Sequence, residues 1–389
     1  MPEKLINNYI PEVAALKFGR RRPDAVSINL TSKCNQQCLY CEIGMGKPSA
    51  DYHQMDLSDL EWVIDQMAGN RIRQLALCGG EPFLFRDILK LIKYAGERNI
   101  RCSVTTNGMT AHQLDEHSLH VLKKFGVSIN ISIDSFRDEI QCRTRGNKDA
   151  LKNSVKSLER LHEFDIPVIL LCVISKYNYN DLFNYIRTAC SKNVKEVLFQ
   201  PVIGCSNYPD RPPIKNKQHL NVSPEKIEIL LEELRMIMKF ERNHNIKTNV
   251  YRLMPWIGNY LETINKSNGH WFFTDIVKKF YCRELFSIIE IDYNGNIHPC
   301  ALLPANKNIF DNRQQGLIVN WMDATHELKI QMEEGQFHAE CNACCNHFSR
   351  NMLASVIRYP VRNRMALLKL LPLLSARLIS RIIIKRTHL

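Results

Sequence analysis

Three cysteines near the amino terminus form the most specific chemical pattern in this sequence. Cys34, Cys38 and Cys41 have the spacing Cys-x3-Cys-x2-Cys. A compact loop with this spacing can turn three thiolates toward one point, which suits a cubane iron–sulfur cluster with one iron left free of protein ligands. A closed structural zinc site would need a fourth nearby Cys or His, and none follows before His53. A zinc site and a chance group of buried thiols are the alternatives.

The cysteines also follow a β-prone run, Val26–Leu30, in which apolar residues alternate with others. They therefore come after the carboxyl end of a predicted first strand, where α/β folds build their active sites. This arrangement resembles the radical S-adenosylmethionine (radical SAM) superfamily, in which an aromatic residue often precedes the last cysteine, as Tyr40 does here. The resemblance implies a [4Fe-4S] cluster on the three cysteines, together with exchangeable S-adenosylmethionine.

A second motif follows the next predicted strand. The run Gly79-Gly80-Glu81-Pro82 matches the superfamily's GGEP motif, which the resemblance assigns to the amino group of S-adenosylmethionine. Two glycines allow a close backbone approach, and Glu81 can accept a hydrogen bond from an ammonium group. Alone, this run would be a weak turn signal. It is specific because it lies about forty residues after the cysteines.

Further polar residues follow the third and fourth predicted strands. They match the positions used by SPASM-type members of the superfamily, which carry extra clusters, and they are Thr106, Asn107, Ser132 and Asp134. Ordinary turn chemistry is the alternative for Thr106 and Asn107. The resemblance also implies an arginine that pairs bidentately with the cofactor carboxylate. The sequence leaves Arg143 and Arg145 both open, and we take Arg145 as the candidate.

The elements around these motifs predict an α/β fold. Six strand signals alternate with five helical patterns from residue 25 to about residue 201, which predicts a parallel sheet. The strands are Val26–Leu30, Gln74–Cys78, Arg101–Thr105, Val127–Ile133, Val168–Ile174 and Glu196–Gln200. The helices are Leu57–Met67, Phe85–Asn99, His112–Phe125, Asp149–Phe164 and Tyr179–Asn193. The resemblance implies a partial (β/α)6 TIM-like barrel. A loop over 204–222 and a helix over Pro224–Asn245 would follow.

The remaining cysteines suggest a second cluster. Cys282 and Cys300 flank a predicted β-hairpin with an Asn294-Gly295 turn, and Cys341 and Cys344 form a later Cys-x2-Cys pair. This pattern resembles the twitch domain, the short form of the SPASM extension, and implies one auxiliary [4Fe-4S] cluster. Cys345 is an alternative fourth ligand, and structural zinc is the alternative metal. Six other cysteines stand singly and are interpreted as core thiols, namely Cys78, Cys102, Cys142, Cys172, Cys190 and Cys205.

Composition and charge narrow the class of protein further. The chain has 389 residues, 14 cysteines and a formal net charge of +12, with no amino-terminal secretory signal, so we expect reduced cysteines and a cytoplasmic location. Nine Lys or Arg and no Asp or Glu lie between Cys341 and Leu389. The body is therefore near neutral, and specific nucleic-acid binding is not indicated. The tail predicts either a basic amphipathic membrane contact or a helix packed on the barrel.

We therefore expect four segments: an amino-terminal extension (1–24), a radical SAM partial barrel (25–222), a linker helix with a small α+β iron–sulfur extension (223–350), and a basic helical tail (351–389). The expected activity is oxidation or epimerisation of a small polar, carbohydrate-like or membrane-delivered molecule. An electron donor such as flavodoxin or ferredoxin would supply electrons. Maturation of a ribosomal peptide is the alternative, although only about twenty-four residues precede the first strand, too few for a leader-binding module. A non-catalytic metal-binding protein is the alternative of another class.

Overall fold

A single open sheet of ten strands organises the described part of the chain in this computed structural model. The structure describes residues 23–41, 43, 52–202, 217–266, 272–273, 277–311, 313–338, 340–341, 344, 348–359 and 361–365. The strand order is β10-β9-β8-β1-β2-β3-β4-β5-β6-β7. The strands are β1 (Ala25–Asn29), β2 (Gln74–Cys78), β3 (Arg101–Thr106), β4 (Ser128–Ser132), β5 (Val168–Ile174), β6 (Glu196–Pro201), β7 (Lys247–Thr248), β8 (Ile288–Ile291), β9 (Asn296–His298) and β10 (Lys307–Asn308).

The parallel part of the sheet confirms the predicted fold class. Strands β1 to β7 pair in parallel and in sequence order, and the sheet does not close, as in the partial barrel that we expected. Burial alternates along each strand, so that Val26 and Ile28 in β1 are fully buried while their neighbours are half-buried. This alternation places one face against the helices and leaves the other face free for polar residues.

The helices confirm the predicted alternation and add elements that the pattern did not reveal. They are α1 (Leu57–Gly69), α2 (Ile88–Glu97), α3 (Glu116–Lys124), α4 (Asp138–Arg145), α5 (Ala150–Glu163), α6 (Leu182–Ser191), α7 (Ile227–Glu241), α8 (Val250–Leu253), α9 (Ile257–Lys266), α10 (Glu284–Ser287), α11 (Gly316–Glu334) and α12 (Phe348–Arg358). The sequence analysis missed α4 because it has only eight residues and few apolar ones.

A hairpin from the carboxyl-terminal half completes the sheet beside β1. Strands β8 and β9 are antiparallel around Gly295, whose φ of +76° is the left-handed conformation that an Asn-Gly turn needs. Strand β8 also pairs in parallel with β1, with Ser27 in register with Glu290. Since β1 leads into the three-cysteine loop, this pairing brings the later cysteine region next to the first one.

Several sequence predictions fall wholly or partly beyond the described residues, among them nearly all of the amino-terminal extension. Most of the loop expected over 204–222 lies there, and so does the tail from residue 366 onward. Within the described part of the chain, no helix combines the length and the apolar character needed to cross a bilayer.

Candidate functional site

The loop that carries Cys34, Cys38 and Cys41 leaves the carboxyl end of β1 and is held by its backbone. The N–H of Gln37 donates to the carbonyl of Arg145 at 3.2 Å, and the N–H of Leu39 donates to the carbonyl of Thr144 at 3.0 Å. Cys38 is buried, and Cys34 and Cys41 are half-buried. The end of α4 therefore positions this loop. Holding the cysteine loop is the structural role of this short polar helix.

Electrostatics indicate that the three thiols lie close together. The pKa of Cys34 is raised to about 11 and that of Cys38 to about 12, mainly by burial, and the neighbouring thiols contribute to both shifts. A metal centre must displace these protons, because only thiolates bind iron. Within the described part of the chain, no three His, Cys, Asp or Glu side chains are grouped as a single metal ion would require. A cubane tolerates wider spacing, since each thiolate binds a different iron.

The two glycines of the Gly79–Pro82 loop allow it to pack against the cysteine loop. A Cβ on Gly80 would lie 2.1 Å from the carbonyl oxygen of Lys33, and a Cβ on Gly79 would lie 2.8 Å from that of Thr31. The N–H groups of Gly80 and Glu81 donate to these same two carbonyls at 2.7 and 2.8 Å. Both glycines therefore let the Gly79–Pro82 loop approach the backbone of the cysteine loop closely.

Glu81 lies at the centre of this packing and is fully buried. Its carboxylate accepts hydrogen bonds from the Thr106 hydroxyl at 2.8 Å, the Asn107 N–H at 2.8 Å and the Phe83 N–H at 3.0 Å. Burial raises the pKa of Glu81 to about 7, although these hydrogen bonds oppose the shift. Pro82 begins the short 3-10 turn that places the Phe83 N–H. Glu81 thus joins the ends of β2 and β3 beneath the cysteine loop.

Asn107 links the end of β3 to the first cysteine. Its side-chain N–H group donates to the Cys34 sulfur at 3.7 Å and to the Asn35 side-chain oxygen at 2.7 Å. An amide donor beside a cluster ligand stabilises the thiolate form of that ligand. The structure therefore places Asn107 against the cysteine loop. It also contains the turn chemistry that the sequence left open, since the Asn107 side-chain oxygen accepts from the Met109 N–H at 2.9 Å.

Asp134 and Arg145 form a buried ion pair just after β4, and Asp134 also holds Tyr40, the residue before Cys41. The side chain of Asp134 is fully buried and accepts from the Arg145 guanidinium at 2.7 Å, from the Val173 N–H at 3.0 Å and from the Tyr40 hydroxyl. By contrast, Arg143 is exposed and stacks over the ring of Tyr177 at 4.4 Å. The structure thus separates the two arginines that the sequence left open, and it brings Arg145 to the cysteine loop.

Ser132 occupies a different position from Asp134. It is half-buried at the end of β4, on the face of the sheet opposite to the helices, and its carbonyl accepts from the Gln141 side chain at 3.5 Å. Gln141 also accepts from the Asp134 N–H at 2.8 Å. Helix α4 therefore fixes both residues of the Ser132–Asp134 segment, and only the hydroxyl of Ser132 remains on the open face.

The four later cysteines line one cavity. Cys282, Cys300, Cys341 and Cys344 surround a space of about 600 Å³, including its part open to solvent. Burial raises the pKa of Cys300 to about 12 and that of Cys341 to about 11. Asn351 in α12 donates from its side chain to the Cys282 sulfur at 3.9 Å. Cys345 lies outside the described residues.

His298 braces the hairpin strand that leads to Cys300. Its Nε2 lies 3.0 Å from an Asp292 carboxylate oxygen, and its Nδ1 lies 2.9 Å from the Leu303 carbonyl oxygen. Both partners are acceptors, so they favour the protonated ring, in which both nitrogens can donate. Burial alone would lower the pKa of His298, but these two acceptors outweigh burial and raise it. The two contacts hold the turn between β9 and the cavity in place.

The sequence analysis missed a polar row on the open face of the sheet. The Ser27 hydroxyl lies beside Glu290, its partner in the register of β1 and β8, and lowers the pKa of Glu290 and of Cys78. The Thr105 hydroxyl also lowers the pKa of Cys78. Asn130 continues the row by donating to Thr105 at 3.2 Å. The row crosses β8, β1, β2, β3 and β4. Strand alternation was the signal that could have revealed it.

Cys78 was interpreted as a core thiol, and the structure differs. It is half-buried on the open face, because it alternates with Leu77, which packs against the helices. Cys102 and Cys172 are buried, as expected, whereas Cys142 and Cys190 are half-buried. Cys205 lies outside the described residues.

Glu290 lies between the two cysteine sites. Its charge raises the pKa of Cys78, directly before the Gly79–Pro82 loop, and also that of Cys300 in the four-cysteine cavity. Burial is the main cause that raises the pKa of Glu290 itself to about 7, and the charge of Glu284 adds to it. The Ser27 hydroxyl and His298 act in the opposite direction. A half-buried carboxylate of this kind is typical of a functional cleft.

Replacing Glu290 with Gln should remove a pH dependence of stability. The folded protein holds this proton more tightly than the unfolded chain, so the stabilisation is present below pH 4.5 and is lost as the pH rises through about 7. The free energy of unfolding of wild type relative to E290Q should fall by about 3 kcal/mol across that window. Urea unfolding at a series of pH values measures it. Exposed Glu97 is the control, and equal curves for wild type and E290Q would contradict the prediction.

A scan against protein-family models matches the Radical SAM superfamily over residues 28–189. That span begins in β1 and contains the cysteine loop, the Gly79–Pro82 loop and the Tyr40–Asp134–Arg145 contacts. Residues 28–189 form a radical SAM domain. The family match covers less than half of the chain, so it describes this domain and leaves the carboxyl-terminal part unassigned.

Curated relatives resemble the radical SAM domain and differ in what they do. The sporulation killing factor maturation protein SkfB of Bacillus subtilis is 28% identical over 163 residues, which are 41% of this chain and 38% of that protein. The Fe-coproporphyrin III synthase of Methanosarcina barkeri is 29% identical over 168 residues, covering 43% and 41%. A probable GTP 3′,8-cyclase of Pyrococcus abyssi is 29% identical over 179 residues, covering 46% and 56%. The chain spans roughly two fifths to just over half of their lengths.

Solved structures share the fold over most of the chain. Streptococcus suis SuiB bound to S-adenosylmethionine aligns with a TM-score of 0.59 at 18% identity, over 83% of this chain and 72% of that one. Native anSMEcpe with bound AdoMet aligns with a TM-score of 0.59 at 18% identity, over 92% and 99%. At this identity the likeness establishes the architecture alone. The radical SAM domain therefore sits in a fold of the expected kind.

Proposed function

We propose that the whole chain is a radical SAM enzyme that cleaves S-adenosylmethionine reductively and removes a hydrogen atom from a substrate. The observation that carries this proposal is the convergence on one loop of three cysteines with Glu81, Asn107 and the Asp134–Arg145 pair. An open α/β sheet builds its active site at this edge. The donor set fits a [4Fe-4S] cluster, since it offers three buried or half-buried thiols and an amide donor to one sulfur.

When bound, the cluster and S-adenosylmethionine supply a 5′-deoxyadenosyl radical, which is the species that abstracts hydrogen. The chain's own residues would hold these groups in place. Tyr40 is anchored by Asp134, which fixes the loop between Cys38 and Cys41. Glu81 and Asn107 bind the loop from beneath. The cofactor contacts that we propose are Gly79, Gly80, Pro82, Thr106, Ser132 and Arg145, in addition to these residues.

We further propose one auxiliary [4Fe-4S] cluster on Cys282, Cys300, Cys341 and Cys344. Their common cavity supports this assignment, and Asn351 offers a hydrogen bond to the Cys282 sulfur. An electron donor such as flavodoxin or ferredoxin would reduce the radical SAM cluster. The auxiliary cluster could accept the electron that remains when a substrate is oxidised, or return one electron in an epimerisation.

The open face of the sheet supports a small polar substrate. The row from Glu290 to Asn130 offers hydroxyl and amide groups and one carboxylate, which suits a molecule with hydroxyl or amino groups. In this proposal Glu290 accepts the proton that accompanies such an oxidation. A peptide substrate is the second candidate, because SkfB is a maturation protein and SuiB has been solved with its precursor peptide SuiA.

Iron counting and cofactor cleavage together test the proposal. Anaerobically reconstituted protein should hold about eight irons per chain and release 5′-deoxyadenosine from S-adenosylmethionine when dithionite is added. The double variant Cys282→Ala/Cys300→Ala should retain about four irons and still release 5′-deoxyadenosine. Cys190→Ala is the matched control, because its thiol lies in α6, away from both sites.

The outcomes separate the alternatives. About four irons in the wild type would contradict the auxiliary cluster. Zinc bound at the carboxyl-terminal cysteines would then identify that site as a structural zinc site. Full metal loading without 5′-deoxyadenosine would favour a non-catalytic metal-binding protein and overturn the enzyme proposal.

A further inference from the structure

Gln36, in the middle of the three-cysteine loop, has an unusual environment for an amide side chain. It is only 2% exposed, and its Nε2 is buried with no hydrogen-bond partner among the residues that the structure describes. Its Oε1 accepts from the thiol of Cys38 at 3.6 Å. Burying an amide N–H without an acceptor costs free energy, and such orphan N–H groups are rare in folded proteins.

The adjacent residue shows that this burial is specific. Gln37 has the same side chain, but it is exposed to solvent. The loop therefore turns one glutamine inward and leaves the next in water. The backbone N–H of Gln36 also acts on the site, because it lowers the pKa of the Cys34 thiol against the effect of burial. Gln36 thus acts on two of the three cysteines.

Binding of a cluster changes the partner of this amide. A Cys38 thiol can donate to Oε1, but a Cys38 thiolate bound to iron has no proton and can only accept. A half-turn of the terminal amide exchanges Oε1 and Nε2 within the same space. After this rotation the side-chain carbonyl, instead of the N–H group, lacks a partner. Folded proteins tolerate a carbonyl without a full set of partners better than an N–H group without one.

We propose that in the cluster-loaded protein the Gln36 side-chain amide donates to the Cys38 thiolate and thereby sets the reduction potential of the radical SAM cluster. This inference rests on the proposed function, since it requires the cluster to be present. Hydrogen bonds to the sulfurs of an iron–sulfur cluster favour its more negative, reduced state. The Asn107 side chain makes the corresponding contact with Cys34, so two ligands carry an amide donor and share this role.

The test is a redox titration of the reduced cluster's paramagnetic signal, with Gln36→Met as the main variant. Methionine keeps the length of the side chain and removes the N–H donor. We expect up to a tenfold loss in the preference for the reduced state, which lowers the potential of this one-electron couple by up to about 59 mV. Gln36→Glu removes the amide donor and, at a pH where its carboxyl group is ionised, adds negative charge, so its potential should then fall at least as far. Gln37→Met is the matched control and should keep the wild-type potential.

A second measurement distinguishes an effect of Gln36 on the reduction potential from a purely structural role of this residue. In cluster-free protein the Nε2 of Gln36 has no partner within the described part of the chain, so Gln36→Met should unfold at the same urea concentration as wild type or a higher one. Wild-type potentials in both Gln36 variants, with iron content unchanged, would overturn the inference. So would a potential that falls equally in Gln37→Met. Absence of any reducible cluster in the wild type would instead contradict the proposed function, so the two failures are distinguishable.

Discussion

Replacing Cys34, Cys38 or Cys41 with Ala should abolish release of 5′-deoxyadenosine from S-adenosylmethionine. Each variant leaves two thiolates where the open-iron cluster needs three, so the cluster should be lost from this site while the four-cysteine cavity is unaffected. We expect the iron content to fall from about eight to about four per chain and cleavage to fall to the level of cluster-free protein. Iron analysis and chromatography of the nucleoside product measure both effects.

Cys102→Ser is a useful comparison, since it changes a buried thiol on the helix-facing side of β3, away from the loop. It should lower stability without changing the iron content. Cleavage that survives in a Cys41→Ala variant would show that Cys41 is not a ligand. The assignment of the cluster to this triplet would then have to be abandoned.

Replacing Arg145 with Met should destabilise the protein by about 3–5 kcal/mol, because it leaves the Asp134 carboxylate buried without its cation. The Arg145 side chain is 8% exposed and that of Asp134 is 0% exposed, so water cannot take the place of the lost partner. The same change also affects Tyr40, because Arg145 no longer holds the Asp134 carboxylate that accepts from the Tyr40 hydroxyl. The cysteine loop should therefore lose order together with overall stability. Urea unfolding and iron content after reconstitution measure the two effects.

Arg143→Met is the matched control. This arginine is exposed and makes a stacking contact with Tyr177, so its loss should cost less than about 1 kcal/mol. The double variant Asp134→Asn/Arg145→Met should be less destabilised than the sum of the two single variants, since it removes both buried charges. Equal effects of the two arginine variants would contradict the distinction that the structure draws between them.

The sequence by itself determined the parts of this protein that depend on local pattern. The spacing of Cys34, Cys38 and Cys41 predicted their shared loop, since nearby residues on one loop share their surroundings whatever the rest of the fold does. Strand alternation predicted the six parallel strands for the same reason, and β2 and β5 have the predicted bounds. The Asn294-Gly295 turn predicted the hairpin that the structure contains.

Only the tertiary structure decided which distant groups meet. It brought Arg145, and not Arg143, to the cysteine loop. The end of α4 binds this loop, and it directs Arg145 toward Asp134 and Arg143 toward solvent. It also showed that Gly79 and Gly80 pack against backbone, and that Glu290 faces the row that begins at Ser27. These pairings join residues far apart in the chain, and no local pattern encodes them.

The same reasoning applies to the two neighbouring glutamines. Gln36 and Gln37 are identical in sequence terms, and only the path of the folded loop buries one and exposes the other. The sequence therefore predicted which residues would carry out the proposed chemistry. The fold decided which side chains surround them, because burial and hydrogen bonding depend on contacts between segments that the chain brings together only when it folds.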